Sequence, residues 1–254
     1  MKIISKNGFE VFFDETSDKA RTLAVLIAEG CPCSCDEARK LIIVAGGDGT
    51  MLAALHHYNF EPVFLGVNCG HRGFLLNDDN DTINKIIGRN FEIHEFPLLE
   101  IETDRGDKTL ALEVYFNRIS AKTCKVKIAV NGVIVSERFT GDGIDIATAL
   151  ASSGYSVPIG GSAVHAKLPV ISFAPMRRNA PFQILPMVFP LDSVFELTLL
   201  SPPEEIKGWC DGDEVTELPR FKKMIVRKAA KNLKLAFWQG EDFTARLVNK
   251  IMKI

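Results

Sequence analysis

Leu41-Ile-Ile-Val-Ala-Gly46-Gly-Asp48-Gly-Thr50 decides how the chain is read. Leu41 to Val44 form a short, continuous, mostly β-branched run, which predicts a strand buried on both faces, as in a parallel sheet. The run stops at Gly46-Gly47-Asp48-Gly49. Beyond it Met51, Leu52, Leu55 and Tyr58 recur at helical spacing, with Thr50 as the expected cap of a helix. Strand, glycine turn and helix together converge backbone N–H groups on a phosphate. Gly46, Gly47 and Gly49 are expected to give a ligand close approach to the backbone and to take up positive φ. Asp48 is the only ionisable group in the turn. Beside a phosphate cradle an acid must hold a metal, accept a hydroxyl proton or hydrogen-bond a sugar. An isolated glycine turn is as readily a plain connection. All five residues, at the end of a buried strand, favour the ligand-binding reading.

The usual nucleotide fingerprints are absent: there is no Gly-x-x-x-x-Gly-Lys-Ser/Thr loop, and no Gly-x-Gly-x-x-Gly after a strand. With 254 residues the chain fits one large domain or two modest ones, and 46% hydrophobic residues suffice for a core. The formal net charge is −2 and no basic run points to nucleic acid. No apolar run approaches the ~18 residues that span a membrane, and Met1-Lys2-Ile3-Ile4-Ser5-Lys6 does not open a signal peptide. The cytoplasm is the expected compartment. Of six cysteines, Cys31, Cys33 and Cys35 crowd together. Their alternate spacing is wrong for a zinc knuckle, so they read as ordinary thiols.

Residues 1–97 predict an α/β domain. Strands are expected at Lys2–Ser5 and Glu10–Phe13, then a helix over Asp18–Glu29 with Ala20, Leu23, Leu26 and Ile27 on one face. Pro62–Val67 predicts a second buried parallel strand. It ends in Asn68-Cys-Gly70-His-Arg-Gly73-Phe74-Leu75, a second glycine loop. Ligands bind beyond the carboxyl ends of such strands, so the two loops are expected to face one crevice. A helix follows at Asp81–Arg89, with Asp78, Asp79 or Asn80 near its start. From residue 98 the period changes to two. Thr109–Ile119 and Lys125–Phe139 alternate, Asn131-Gly132 signals a hairpin, and further strands are expected at 143–148, 169–174, 194–200, 205–209, 223–228 and 233–238. These predict a β-sandwich-like domain over 98–239. A last helix, Glu241–Met252, has no place in an all-β layer and is expected to complete the first domain with about residues 240–254.

A second cluster of special residues lies at Gly141-Asp142-Gly143, Ser152-Ser153-Gly154-Tyr155-Ser156 and Gly160-Gly161-Ser162. It is either a set of β-turns or a loop that lays amides and hydroxyls on a polar ligand. Asp211-Gly212 alone would be a hairpin turn. Ser162 and His165 lack the Gly-x-Ser-x-Gly elbow of a nucleophilic hydrolase.

In order, these segments resemble the NAD kinase family, within the wider group of lipid and sugar kinases that share a Gly-Gly-Asp-Gly-Thr loop. The resemblance rests on Gly46–Thr50, Asn68-x-Gly70-x-x-Gly73-Phe74-Leu75, Glu113, Gly141-Asp142-Gly143, Tyr155-Ser156, Gly160-Gly161 and Asp211-Gly212. It implies an amino-terminal Rossmann-like α/β domain plus a carboxy-terminal β-sandwich-like domain, with the last helix returning to the first. It further implies phosphoryl transfer from ATP, or another donor, to the 2′-hydroxyl of the adenosine ribose of NAD, giving NADP. Asp48 is the implied catalytic residue, helping to deprotonate the acceptor hydroxyl. Gly46, Gly47, Gly49, Thr50, Asn68, Gly70, Phe74, Glu113, Asp142, Ser153, Gly154, Tyr155 and Asp211 are the implied nucleotide-binding residues. A divalent metal, Mg²⁺ by expectation, and a homodimer or homotetramer complete the picture. The chain departs from the family's pattern at two polar positions. Leu112 stands where the family has Asn, and Leu150 where it has a hydroxyl residue. Both are expected to loosen the grip on the nucleoside. The alternatives are a non-catalytic NAD-binding relative and a lipid or sugar kinase with the same loop.

Overall fold

The computed structural model describes residues 1–6, 9–31, 41–78, 81–177, 184–212 and 216–252. In chain order its elements are β1 (Lys2–Lys6), β2 (Phe9–Phe13), α1 (Asp18–Gly30), β3 (Leu41–Gly46), α2 (Asp48–His57), β4 (Val63–Asn68), β5 (Asn77–Asp78) and α3 (Thr82–Ile87). There follow β6 (Phe91–Thr103), β7 (Lys108–Ala111), β8 (Glu113–Arg118), β9 (Cys124–Val130), β10 (Val133–Gly141), β11 (Gly143–Thr148) and β12 (Val170–Met176). The last are β13 (Met187–Pro190), β14 (Phe195–Leu199), β15 (Ile206–Cys210), β16 (Thr216–Glu217), β17 (Lys223–Trp238) and α4 (Phe243–Leu247). The chain divides into two compact units, Met1–Phe96 with Asn232–Ile254, and Pro97–Lys231.

In the first unit β1 and β2 pair antiparallel, while β2, β3, β4 and the end of β17 run parallel, with β5 beside β4. The apolar run at 41–46 is buried, as its composition requires. On this sheet α1 packs Ala20, Leu23, Ala24 and Ile27 against Val11, Ile43 and Leu65. Leu26 is not on that face; it is 48% exposed. One residue before Ile27, it lies to the side of the i, i+3, i+4 stripe. The start of α2 also differs from expectation. Gly47 is the residue before the helix, and Thr50 sits in the first turn, where its hydroxyl accepts the Gly47 N–H at 3.3 Å. A side chain three residues into a helix reaching back in this way is one half of a capping box. Residues 79 and 80, expected near the start of the next helix, lie outside the described residues; Asp81 precedes α3.

The second unit is built from antiparallel sheets. One has the order β13-β12-β11-β8-β15-β16, and the other contains β10-β9-β14 and the beginning of β17. Phe116, Ile146 and Phe173 from the first sheet share one apolar cluster with Ile128, Phe195 and Val226 from the second. The Asn131-Gly132 hairpin is present, with both residues left-handed at φ 51° and 76°, as a type I′ turn requires. The alternating run 109–119 is broken between β7 and β8 at Leu112, while 223–228 and 233–238 join as the 16-residue β17. After α4 a π-helical turn, Val248–Met252, ends the described chain, and both belong to the first unit. No helix among the described residues is long and apolar enough to cross a membrane.

Candidate active site

In the parallel register of β3 and β4 Gly46 stands opposite Asn68, so the loops that follow leave the sheet side by side. Cys69 N–H donates to the Gly46 carbonyl at 2.8 Å. Asn68 folds its own loop: Oδ1 accepts from Gly70 N–H at 3.0 Å and Nδ2 donates to the Arg72 carbonyl at 3.3 Å. Gly73 has φ +63°, and a Cβ there would overlap the Asn68 amide. Only glycine meets both demands. The turn at Gly73 then aims two amides at the first loop. Phe74 N–H donates to Asp48 Oδ2 at 2.9 Å and Leu75 N–H to Asp48 Oδ1 at 2.7 Å.

Gly46, Gly47, Asp48, Gly49, Thr50, Asn68, Gly70 and Phe74 are thereby brought together, and their roles divide. Thr50, Asn68 and Phe74 are buried and hold the loops in shape. Gly46, Gly47 and Gly49 do not take up positive φ. A Cβ at Gly46 would overlap the Thr50 side chain, whereas Gly47 and Gly49 have nothing within 4 Å of a Cβ. These two glycines leave room, not conformational freedom. The open space lies over the amino terminus of α2, where unpaired N–H groups and the helix dipole favour an anion. Asp48, half-buried, borders that space. A carboxylate has about four acceptor sites, so two remain for a hydroxyl. No group of three or more His, Cys, Asp or Glu among the described residues could hold a metal ion. Asp48 is thus the one carboxylate the loop offers, with both oxygens already accepting an amide.

In the second unit the sheet of β8 and β11 has one core face and one polar face. Val114, Phe116, Ile144 and Ile146 enter the core. On the other face Glu113, Tyr115, Gly143, Asp145 and Ala147 follow from the register Asp145 to Tyr115 and Ala147 to Glu113. The turns over Ala149–Gly160 cover this face. Tyr155 N–H donates to the Glu113 carboxylate, Gly154 lies against Glu113 Oε2, and the Tyr155 ring packs on Tyr115 with centroids 4.6 Å apart. Ser153 is buried in the same turns. Tyr155 also lines a cleft of about 610 Å³ together with Asp142, Asn117 and Arg118. There Arg118 Nε donates to Asp142 Oδ1 at 2.6 Å.

Asp211 does not line this cleft. It is 1% exposed, and its Oδ1 accepts both Leu112 N–H and Glu113 N–H at 2.9 Å. Its carboxylate is spent on the break between β7 and β8. Leu112 and Leu150 are each 1% exposed. They are core side chains, not truncated ligand contacts, so the loosened grip expected of them has no surface to act on.

Sequence reasoning missed Asp145, which is fully buried and receives the Ser156 hydroxyl. Asp145 Oδ1 and Glu113 Oε2 are buried without a hydrogen-bond partner among the described residues. Burial raises the Asp145 carboxyl to about 7, against the opposing pull of the Ser156 hydrogen bond. Burial, followed by the charges of Asp145 and Asp211, raises Glu113 well above the usual carboxylate range. The legible signal was a lone acid in Gly143-Ile-Asp145-Ile-Ala-Thr148, a strand apolar on both sides. Of the cysteines, Cys31 joins the α1 cluster; Cys33 and Cys35 lie outside the described residues.

Two family models match: ATP-NAD kinase N-terminal domain over residues 4–96, and ATP-NAD kinase C-terminal domain over residues 113–237. NAD kinase 2 of Streptomyces coelicolor is 30% identical over 238 residues, covering 89% of this chain and 77% of the relative. An NAD kinase from Archaeoglobus fulgidus, solved in complex with ATP, superposes with a TM-score of 0.77 at 23% identity, covering 96% of this chain and 98% of that one. Yeast NADH kinase complexed with NADH gives a TM-score of 0.72 at 22% identity, covering 84% of this chain. This chain spans 65% of the yeast protein, slightly under two thirds. At such identities the two structures speak for the fold.

Proposed function

The chain belongs to the ATP-NAD kinase family, and from that premise we propose that it transfers the γ-phosphoryl group of ATP to the 2′-hydroxyl of the adenosine ribose of NAD. The observation that carries this reading is the pairing of Asp48 with open space at Gly47 and Gly49. The free amides of the first turn of α2 suit the phosphates of the donor. The remaining acceptor positions of Asp48 suit the ribose hydroxyl. As the 2′-oxygen forms its bond to the γ-phosphorus, its proton passes to the Asp48 carboxylate. The bond from that phosphorus to the bridging oxygen breaks, and ADP carries the electron pair away. Phosphoryl transfer needs positioning and charge neutralisation more than covalent chemistry. Two amides that fix both oxygens of the base supply the positioning. In this reading Mg²⁺ arrives with the donor, as the metal–nucleotide substrate.

Tyr155 and Asp142 are suited to the dinucleotide through the cleft they line, with Ser153, Gly154 and Glu113 fixing the turn that carries Tyr155 and Asp211 holding the start of β8. Leu112 and Leu150 no longer support the non-catalytic alternative, because both are core residues. The same resemblance implies a cytosolic homodimer or homotetramer, which light scattering on the purified protein checks. The deciding experiment is a coupled assay for NADP with NAD, Mg²⁺ and a series of donors. NADP formation with ATP supports the reading. NAD binding without turnover in excess ATP and metal would return the protein to the non-catalytic class.

A further inference from the structure

The turn that holds Asp48 is itself held from a distant part of the chain. Arg246, in α4, is 5% exposed. Its Nη1 donates to the Phe74 carbonyl at 2.9 Å and to the Leu76 carbonyl at 2.7 Å. Its Nε donates to Glu241 Oε1 at 2.7 Å, and the guanidinium carbon lies 4.5 Å from the Phe237 ring centroid. A buried guanidinium is costly unless it is paired and hydrogen-bonded. This one meets both conditions, and it directs two of its bonds at the turn that grips Asp48.

The Phe74 carbonyl and the Leu75 N–H belong to one peptide plane. A trans peptide points them in opposite directions. Arg246 is bonded to the oxygen side and Asp48, at 2.7 Å, to the hydrogen side. A cationic donor on a carbonyl polarises the amide and strengthens the N–H as a donor. Arg246 thus acts twice, by fixing the tilt of the plane and by sharpening the amide that grips the carboxylate.

The geometry points to Arg246 as a positioning residue for Asp48, acting through the Phe74–Leu75 peptide. The effect on turnover rests on the kinase reading above; the effect on the turn does not. Arg246→Met keeps an unbranched apolar side chain of similar reach and removes the donors and the charge. Arg246→Lys keeps the charge without the fork.

Two readouts apply, both well below the unfolding temperature. Amide exchange at Leu75 should quicken by about 10-fold or more in Arg246→Met, from loss of hydrogen bonds to a charged donor, while Ile146 in the second unit is unchanged. Turnover should fall by about 10-fold or more with the KM for NAD nearly unaltered, and Arg246→Lys should recover part of it. In an Asp48→Asn background the methionine change should cost no more than about 2-fold, because residues acting as one unit are not additive. Unchanged Leu75 exchange in Arg246→Met overturns the inference whatever the activity. So does full turnover with only a lowered melting temperature, or two losses that multiply. Should Arg246→Met not fold, Arg246→Lys carries the same comparisons. If the wild type makes no NADP while Leu75 exchange still quickens, the kinase reading fails and the hold of Arg246 on the turn stands.

Discussion

Asp48 and Asp145 are the same residue type in opposite surroundings. Asp48 is half-buried and each of its oxygens receives a backbone amide. Asp145 is fully buried; one oxygen receives Ser156, and the other has no partner among the described residues and shares a sheet face with Glu113. A carboxylate supplied with donors beside open space can meet a hydroxyl. A fully buried carboxyl on the same face as another acid is pushed towards its protonated form. The difference lies in which neighbours donate, and the residue type does not reveal it.

The sharpest break of this comparison is Asp48→Asn. If Asp48 takes the acceptor proton, turnover falls by at least the ~10²-fold typical of losing a general base. The substitution also turns an amide nitrogen towards Phe74 or Leu75 N–H, so a stability loss of about 1–3 kcal/mol accompanies it. Chemical denaturation beside steady-state kinetics separates the two. Near-normal turnover would remove Asp48 from the chemistry.

Leu112→Asn comes next. A polar amide placed in a fully packed core should cost roughly 2–4 kcal/mol, with no gain in the KM for NAD. A stable variant with a lower KM would mean that Leu112 faces the ligand after all.

Asp145→Asn sharpens the acidic side of the comparison. The native carboxyl is raised from 3.8 to about 7. The folded state therefore binds the extra proton between those values, and stability falls as pH rises through that window. Wild type should lose stability from about pH 4 to pH 7 relative to Asp145→Asn, by about 2 kcal/mol, roughly half the ceiling set by the pKa difference. Parallel melting curves across the window would contradict a buried acid that holds its proton to about pH 7.

The smallest effect is expected at Cys31→Ser. Cys31 is 1% exposed in the α1 cluster. A hydroxyl there should cost about 1 kcal/mol and a few degrees of melting temperature, with turnover unchanged. A large loss of turnover would give the thiol a role beyond packing.

Much of the fold was legible because its signals are local. An apolar run with three β-branched residues, Ile42, Ile43 and Val44, before a glycine turn fixes a buried strand at Leu41–Gly46, and Asn131-Gly132 fixes a hairpin, since φ and burial there depend on immediate neighbours. What failed was what depends on partners. Gly47 and Gly49 are expected both to admit a ligand and to take up positive φ, and only the first agrees with the space beside them. Leu112 was read from its neighbour Glu113, but its burial depends on the packing around it. Arg246 gave no signal, because one cation in a short helix usually faces water and its carbonyl partners lie 172 and 170 residues away.

By itself the sequence determined the two kinds of domain, the loop at Gly46–Thr50 and the single acid within it, since period, turn chemistry and residue order are properties of the chain read locally. Only the tertiary structure decided that two amides from Phe74 and Leu75 hold that acid, that a guanidinium from the far end of the chain holds their turn, and that Glu113 and Asp145 share one face of the β8–β11 sheet. Those are facts of hydrogen-bond partnership and burial, and both arise only when segments distant in sequence are brought within 3 Å of one another.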